Sequence, residues 1–435
     1  MSCKSPPSLQ ELAETSLLRN QAMAVSAVDD LPSVFFPSLF KKACRKNSSE
    51  VVVAMVQAWP FPCLPLGAMV RKKAAYRRIL EIILLGLDGL LFQNARHGRC
   101  RLRVLDLRCM PGKTWNKRPV FMVHDPSENQ AAMGHSGTEL KPQLKVVIDL
   151  VLKEGPLMSV ESFLVQWVGQ REGLIHLCCS KIQIWSMALN YHREVLERLD
   201  LDSIQELSLL YMNNPTCLLN FSPYLGRMRY LRSLLLSCFW SGVFLTPVEK
   251  DQVITQFTLQ FVKLKHLQSL HLDNLFFLEG HLDQLFWWLK APLETLLVTH
   301  CFLSKSDWTH MAEFLCTSQL KHLILKCVKL THLSPEPLRV LLLKTAPTLM
   351  TLDLEGCQLM NSQLSAILPA LRSCTQLSLF NFSGNYASKR FLRKLADHQM
   401  KLRLRGSQIT LVPSSCVECI AAGRTVGQPE PVSLL

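Results

Sequence analysis

The residues able to do chemistry fall into short runs, and each run fits a known reaction only in part. Gly112-Lys113-Thr114 carries the end of a phosphate loop, G-x-x-x-x-G-K-[ST], in which backbone N–H groups wrap the phosphates and the lysine reaches them. The first glycine of such a loop falls at Leu107, which closes a leucine-patterned segment instead. Cys416 and Cys419 form one Cys-x-x-Cys pair, with no second pair to complete a tetrahedral zinc site. His176 with Cys178 and Cys179 offers metal-ligand atoms, but their apolar surroundings make burial in a core the simpler reading. Asp29-Asp30 sits beside a turn without a partner for acid–base work. No Ser-His-Asp, His-Glu-x-x-His or glycine-rich cofactor signature occurs. A protein that is not an enzyme is expected, with no catalytic residue, no cofactor and no metal.

Four L-x-x-L-L strings, at Leu87-Leu90-Leu91, Leu231-Leu234-Leu235, Leu293-Leu296-Leu297 and Leu338-Leu341-Leu342, resemble the short helix that docks on nuclear receptors. Only the copies at Leu87 and Leu338 read as helical, and both are expected to be buried.

The elements that position these residues follow from a repeat. L-x-x-L-x-L-x-x-C/N-x-L, complete or in part, recurs at Leu231-Leu234-Leu236, Leu267-Leu270-Leu272-Leu275, Leu293-Leu296-Val298-Cys301-Leu303, Leu320-Leu323-Leu325-Leu330, Leu349-Leu352-Leu354-Cys357-Leu359 and Leu377-Phe380-Phe382-Asn385. Weaker copies lie at Leu102-Leu105-Leu107 and Ile204-Leu207-Leu209. Alternate side chains of an extended segment share a face, so the second and third leucines point inward together. The Cys or Asn that follows fills a buried turn. Between copies run helix-like stretches such as Leu282–Leu289, apolar at i, i+3, i+4 and i+7. The fold class expected is α/β: a leucine-rich-repeat solenoid over residues 101–405, of the ribonuclease-inhibitor-like horseshoe type, with an N-terminal helical cap over 1–100 and a weakly structured tail over 406–435.

Composition agrees with this reading. Of 435 residues 48% are hydrophobic and 19% charged, too apolar a balance for a disordered chain. The sixteen cysteines are spread through apolar stretches, where a free cysteine acts as a small buried hydrophobe. Residues 1–16 lack the basic start and apolar run of a secretory signal. The greasiest stretch, Ile79–Phe92, is interrupted by Glu81 and Asp88 and is too short to span a bilayer. A reduced, cytoplasmic protein is expected, with the nucleus as a second compartment and no membrane partner. The net charge is +14, carried by clusters such as Lys41-Lys42-Arg45-Lys46 and Arg96-Arg99-Arg101-Arg103. No aromatic residues alternate with these as a base-stacking platform would need, so nucleic acid is not an expected partner and solvated helix faces are the simpler reading.

Ahead of the repeats, Glu11–Leu18, Asn20–Asp30, Leu39–Arg45 and Glu50–Trp59 carry apolar residues at helical spacing, punctuated by Pro32, Pro37, Pro60, Pro62 and Pro65. The strings SLLRNQAMAVSAVDDLPSVFFPSLFKKA (residues 16–43), MVQAWPFPCLPLGAM (55–69), GLDGLL (86–91) and LRVLDLR (102–108) resemble the PRAME (preferentially expressed antigen in melanoma) family of leucine-rich proteins. So do IHLCC (175–179), SPYLGRMRYLRSL (222–234), FLEGHLDQL (277–285) and ILPALRSCTQLSLFNFSGN (367–385). The resemblance covers roughly residues 5 to 395 and stops at about Ala396, which puts the range of targets in question more than the fold.

The resemblance implies a substrate-recognition adaptor of a cullin-2 RING ubiquitin ligase, acting in ubiquitin-dependent protein turnover. It also implies repression of retinoic-acid-receptor transcription, with effects on proliferation, differentiation and apoptosis. The partners implied are elongin C, elongin B, cullin-2, its RING subunit and an unidentified protein substrate, with a nuclear receptor as a further candidate. Carried over residue by residue, the elongin-binding segment is Leu17, Leu18, Ala22 and Val25, and the cullin-binding segment is Leu31, Pro32, Phe35 and Phe36. Counted along one helix, Leu18, Ala22 and Val25 share a face at i, i+4 and i+7; that stripe serves equally to pack a cap on its own solenoid. The target is expected on the strand face away from the leucines, at Gln268, Ser269, His271, Glu294, Thr295, Lys321 and His322. Two other classes stay open: a corepressor that needs no ligase, and a scaffold without a target.

Overall fold

Each repeat pairs one short strand with a connecting helical segment, because leucines two apart on a strand and three or four apart on a helix must share one interior. The computed structural model describes residues 8–69, 73–92, 98–108, 144–153, 159–185, 193–211, 216–237, 246–388, 390–395 and 410–412. The phosphate-loop run, the Cys416/Cys419 pair and most of the C-terminal tail lie outside them. The chain divides into two compact units, residues 1–182 with 191–204, and residues 183–190 with 205–435.

The first unit begins with α1 (Leu9–Leu17), α2 (Gln21–Ser26), α3 (Phe36–Lys46) and α4 (Ser49–Gln57). It continues with β1 (Cys63–Pro65), α5 (Leu66–Met69), α6 (Lys73–Phe92), β2 (Val104–Asp106), β3 (Leu144–Leu152), α7 (Ser159–Gly169), β4 (Ile175–Trp185) and α8 (Arg193–Arg198). The strand Cys63–Pro65 was not expected in a helical block. It pairs in parallel with Val104–Asp106, so the sheet starts well before the first leucine repeat; three residues are too few to show the strand's two-residue period.

The core of this block is aromatic. Trp59 is fully buried, meets Phe36, Phe40 and Phe61 edge-on with ring centroids 6.0, 5.2 and 5.7 Å away, and donates its indole N–H to the Cys63 carbonyl at 3.0 Å. Gly67 admits no side chain: a Cβ there would lie 2.2 Å from the Arg108 carbonyl oxygen. Asp88, which interrupts the greasy stretch, binds the Arg171 guanidinium through both oxygens, at 2.5 and 2.7 Å, and accepts from Trp167 Nε1 at 3.1 Å. Among the described residues no helix is long and apolar enough to cross a membrane.

The second unit carries the repeats: β5 (Glu206–Leu210), α9 (Thr216–Leu225), β6 (Ser233–Ser237), α10 (Pro247–Thr258), β7 (Ser269–Asp273), α11 (Leu282–Trp288) and β8 (Thr295–Thr299). After them come α12 (Lys305–His310), β9 (His322–Lys326), α13 (Glu336–Thr345), β10 (Thr351–Asp353), α14 (Asn361–Leu371), β11 (Leu379–Asn381) and β12 (Thr410–Val412). Strands β5 to β12 pair in sequence order, all parallel. The final pairing joins Leu379 to Thr410, the latter in the tail expected over 406–435.

Register stacks the repeat. Leu234, Leu270, Leu296, Leu323, Leu352 and Phe380 pair in one row, and the four leucines from 270 to 352 are wholly excluded from solvent. After the strands the chain turns through left-handed residues at equivalent places, Asn274, His300, Cys327, Gly356 and Gly384, with φ between 52° and 69°. At three of these places the next residue, Cys301, Cys357 or Asn385, satisfies the turn from inside, as the repeat predicts. Cys301 Sγ accepts from the Leu275 N–H at 3.4 Å and faces the Leu272 carbonyl. Cys357 Sγ lies 2.8 Å from the Leu325 carbonyl. Asn385 donates to the Leu354 and Phe382 carbonyls and accepts from the Leu359 N–H at 2.8 Å. Among helix-borne L-x-x-L-L strings, the one on α13 has all three leucines buried, while on α6 Leu87 is buried and Leu90 and Leu91 are half-buried.

Leu296→Ala is expected to destabilise the second unit by about 2–5 kcal/mol, the cost of a buried Leu-to-Ala change, whereas Thr295→Ala on the opposite strand face changes stability by only about 0.5 kcal/mol or less. Urea unfolding followed by circular dichroism separates the two. Equal midpoints for the two variants would show that the strand faces are assigned wrongly.

Candidate interaction surfaces

Two surfaces carry the candidate residues, one in each unit. In the first, the segment assigned to elongin is not one helix. α1 ends at Leu18, whose N–H bonds the Glu14 carbonyl, and α2 restarts from Asn20, whose side chain accepts from the Met23 N–H at 3.1 Å. Asparagine is among the best N-cap residues, so the count i, i+4, i+7 across Leu18, Ala22 and Val25 fails: Leu18 closes one helix and the other two ride on the next. Leu18 is buried, Leu17 and Val25 are half-buried, and Ala22 is exposed. The exposed apolar side chains nearby are Leu9, Leu12, Met23 and Val34, each more than half accessible.

This helical pair is tied down from behind. Glu14 is 8% exposed and binds Ser38 Oγ at 2.5 Å, Gln10 Nε2 at 2.9 Å and Lys42 Nζ at 3.5 Å. Arg99, expected on a solvated face, instead donates its guanidinium to the carbonyls of Val28, Asp29 and Leu31. It thereby fixes the loop that leads to Pro32, and its charge lies 5.0 Å over the Phe36 ring. Of the cullin candidates, Pro32 is exposed and Leu31 and Phe35 are half-buried, but Phe36 is fully buried against Trp59. Phe36 is therefore a core residue and has no free surface to offer.

In the second unit the target-face candidates come together. Ser269, Thr295 and His322 stand in register on β7, β8 and β9, in line with Ser233 and Thr351. His271 lies two residues further along the same face of β7. Gln268, Glu294 and Lys321 precede the strands in a matching row, where Lys321 Nζ pairs with Glu294 at 2.9 Å. His322 Nδ1 meets Thr351 Oγ1 at 3.0 Å.

The other end of the same strands holds a polar network that the repeat pattern did not single out. Asp273 accepts from Thr299 Oγ1 at 2.6 Å and Ser237 Oγ at 3.0 Å, and its Oδ1 lies 3.1 Å from His300 Nδ1. His271 Nε2 meets Thr299 Oγ1 at 3.1 Å. One repeat on, Lys326 Nζ bridges Asp353 at 3.1 Å and Glu355 at 3.0 Å, and Asn381 Nδ2 donates to Glu355. The signal available was the polar residue directly after the third motif position, as in Leu270-His271-Leu272-Asp273.

These bonds set charge. Hydrogen bonds with Asp273 and with Cys327 push the His300 imidazole up to about 10. Burial alone would raise Asp273, but its bonds from His300, Thr299 and Ser237 win, and its carboxyl falls below the ordinary range. Burial pushes His271 the other way, below the usual imidazole value. At neutral pH the face therefore presents a charged His300 beside a neutral His271.

Residues 6–115 match the PRAME N-terminal domain and residues 144–423 match the PRAME C-terminal domain. The chain belongs to the PRAME family. It is 66% identical over 432 residues to preferentially expressed antigen in melanoma-like protein 1 of Mus musculus, covering 99% of this chain and 94% of that one. PRAME family member 12 of Homo sapiens is 43% identical over 405 residues, with 92% and 83% covered. PRAME family member 8 of Homo sapiens is 42% identical, with 92% and 85% covered. The strings that mark the PRAME family here have packing roles: Trp59 and Gly67 in residues 55–69 hold the aromatic core and the close approach to Arg108.

The linkage of His300 and Asp273 has a sign. The raised His300 contributes stability that is fully present below about 6.5 and fades as pH rises through about 10. The depressed Asp273 contributes stability that is lost as pH falls through its folded value. Proton NMR of the His300 ring should show a midpoint near 10 in the parent chain and a clearly lower one in Asp273→Asn. A His300 midpoint already at the free-imidazole value in the parent would refute the pair.

Proposed function

We propose that the chain is the target-recognising subunit of a cullin-2 RING ubiquitin ligase, with the ligase chemistry supplied by the other subunits. The observation that carries this reading is membership of the PRAME family over both domains. Two features support it. The N-terminal helices present Leu9, Leu12, Ala22 and Met23 to solvent, an apolar strip of the kind that meets a partner helix or groove. The repeat strands present an ordered polar face, and repeat scaffolds bind proteins on such extended surfaces.

The elongin C contact is then made by the exposed Ala22 with its neighbour Met23 and by the half-buried Leu17 and Val25, while Leu18 supports it from the interior. The cullin contact falls on Leu31, Pro32 and Phe35, held in place by Arg99. The target sits across Ser269, His271, Thr295 and His322, with Gln268, Glu294 and Lys321 at one rim and the Asp273–His300 network at the other. A second reading, a corepressor acting on retinoic acid receptor signalling without a ligase, draws on the +14 net charge. A receptor contact through L-x-x-L-L meets an obstacle at α13, where all three leucines are inside.

In affinity purification, the parent chain should bring down elongin C, elongin B and cullin-2. The double variant Ala22→Glu with Met23→Glu should reduce elongin C at least about ten-fold, while far-ultraviolet circular dichroism stays unchanged because both positions face solvent. Receptor or histone complexes recovered without elongins would favour the corepressor reading. Unaltered elongin recovery by the double variant would contradict the assigned surface.

A further inference from the structure

We infer that His176, Cys178 and Asp200 form a binding site for a zinc-class divalent transition metal in the first unit. This site does not depend on the ligase reading.

The sequence singled out His176 and Cys178, and burial was the simpler expectation for both. Cys178 is buried, but the His176 ring is exposed on the strand β4. Residues two apart on a strand share a face, so His176 and Cys178 point the same way. The neighbouring segment supplies the third group: Asp200 forms a parallel bridge with Cys178, which sets its side chain beside theirs. The outcome is a cluster in which one donor atom from each residue lies within 4.8 Å of the other two. His176 Nε2 is already 3.1 Å from an Asp200 carboxylate oxygen.

The donor set is selective. An imidazole nitrogen, a thiolate and a carboxylate oxygen together suit zinc and its borderline-soft neighbours, whereas magnesium and calcium require oxygen donors. Three protein ligands leave one tetrahedral position for water, the arrangement of an open zinc site. Zn–S near 2.3 Å and Zn–N near 2.0 Å require the donors to close only modestly from their present spacing, and the exposed His176 ring has room to move. Asp200 is otherwise restrained, since its side chain accepts from the Asp202 N–H at 3.1 Å.

Its carboxylate also feels the charge of Lys145. Lys145 is the competing cation at this edge. Cys179 lies on the opposite strand face, where its Sγ meets the Lys181 carbonyl, and is not part of the cluster. Binding needs no redox step. The Cys178 thiol loses its proton to solvent as the metal–sulfur bond forms.

The test is titration of the reduced full-length chain with cobalt(II) as a spectroscopic probe, then with zinc(II) in competition. One equivalent of cobalt should give a sulfur-to-cobalt charge-transfer band and the intense visible bands of a tetrahedral centre, both abolished by zinc. His176→Ala, at an exposed position that leaves the core intact, should lose the bands or weaken binding at least about ten-fold, the usual cost of disturbing a metal site. Cys178→Ser should remove the charge-transfer band, and a Cys416→Ser, Cys419→Ser double variant should keep it. A parent chain without the tetrahedral spectrum, or His176→Ala binding like the parent, would overturn the site and leave a plain His176–Asp200 ion pair.

Discussion

A strand of three to five residues cannot bury its own leucines, and this constraint governs the rest of the molecule. Leu270, Leu296, Leu323 and Leu352 are excluded from water only because the strand on either side carries a leucine in the same register. The hydrophobic gain for each such side chain, roughly 1.5–3 kcal/mol, is therefore a property of neighbouring repeats and not of any one. Folding one repeat creates the surface on which the next can fold. The left-handed turns after β8, β10 and β11 serve the same end, since they bring Cys301, Cys357 and Asn385 inward to satisfy backbone groups that the interior would otherwise leave unpaired.

The same constraint produces the polar strand face. When alternate side chains point inward, the remaining ones form rows on the opposite side, spaced by the strand separation of about 4.8 Å. Ser269, Thr295 and His322 are neighbours for that reason alone, although 26 and 27 residues separate them along the chain. Variation at such positions leaves the core undisturbed. A PRAME-family chain can thus keep its scaffold while its outer rows diverge. The N-terminal helices work differently, since their surface is held by particular polar anchors: Glu14 beneath α1, and Arg99 beneath the Leu31-Pro32 loop.

Much of this was legible in the sequence. The repeat period and inward leucines, and the turn-filling role of Cys301, Cys357 and Asn385, follow from spacing, because the strand period of two is rigid. The break at Leu18–Asn20 was less visible. Helical periodicity runs on smoothly across it, and only the capping strength of Asn20 marks the end of one helix and the start of another. Phe36 looked like a surface residue because Phe35 and Phe36 are chemically identical; which of the two turns inward is decided by Trp59, far along the chain. The Asp273–His300 network lay outside the leucine pattern, since its members come from the variable positions of three repeats. The strand Cys63–Pro65 was hidden by its length and by three nearby prolines.

The claim that repeats bury their leucines against one another is tested most directly by a double-mutant cycle on stability. Leu270→Ala and Leu296→Ala stand on adjacent strands, while Leu270→Ala and Leu352→Ala are separated by two intervening strands. Urea unfolding of the single and double variants should show a coupling of about 0.5–3 kcal/mol for the adjacent pair and additivity within about 0.5 kcal/mol for the distant pair. Additive behaviour for both pairs would contradict the account, because the leucines would then be buried in independent lobes.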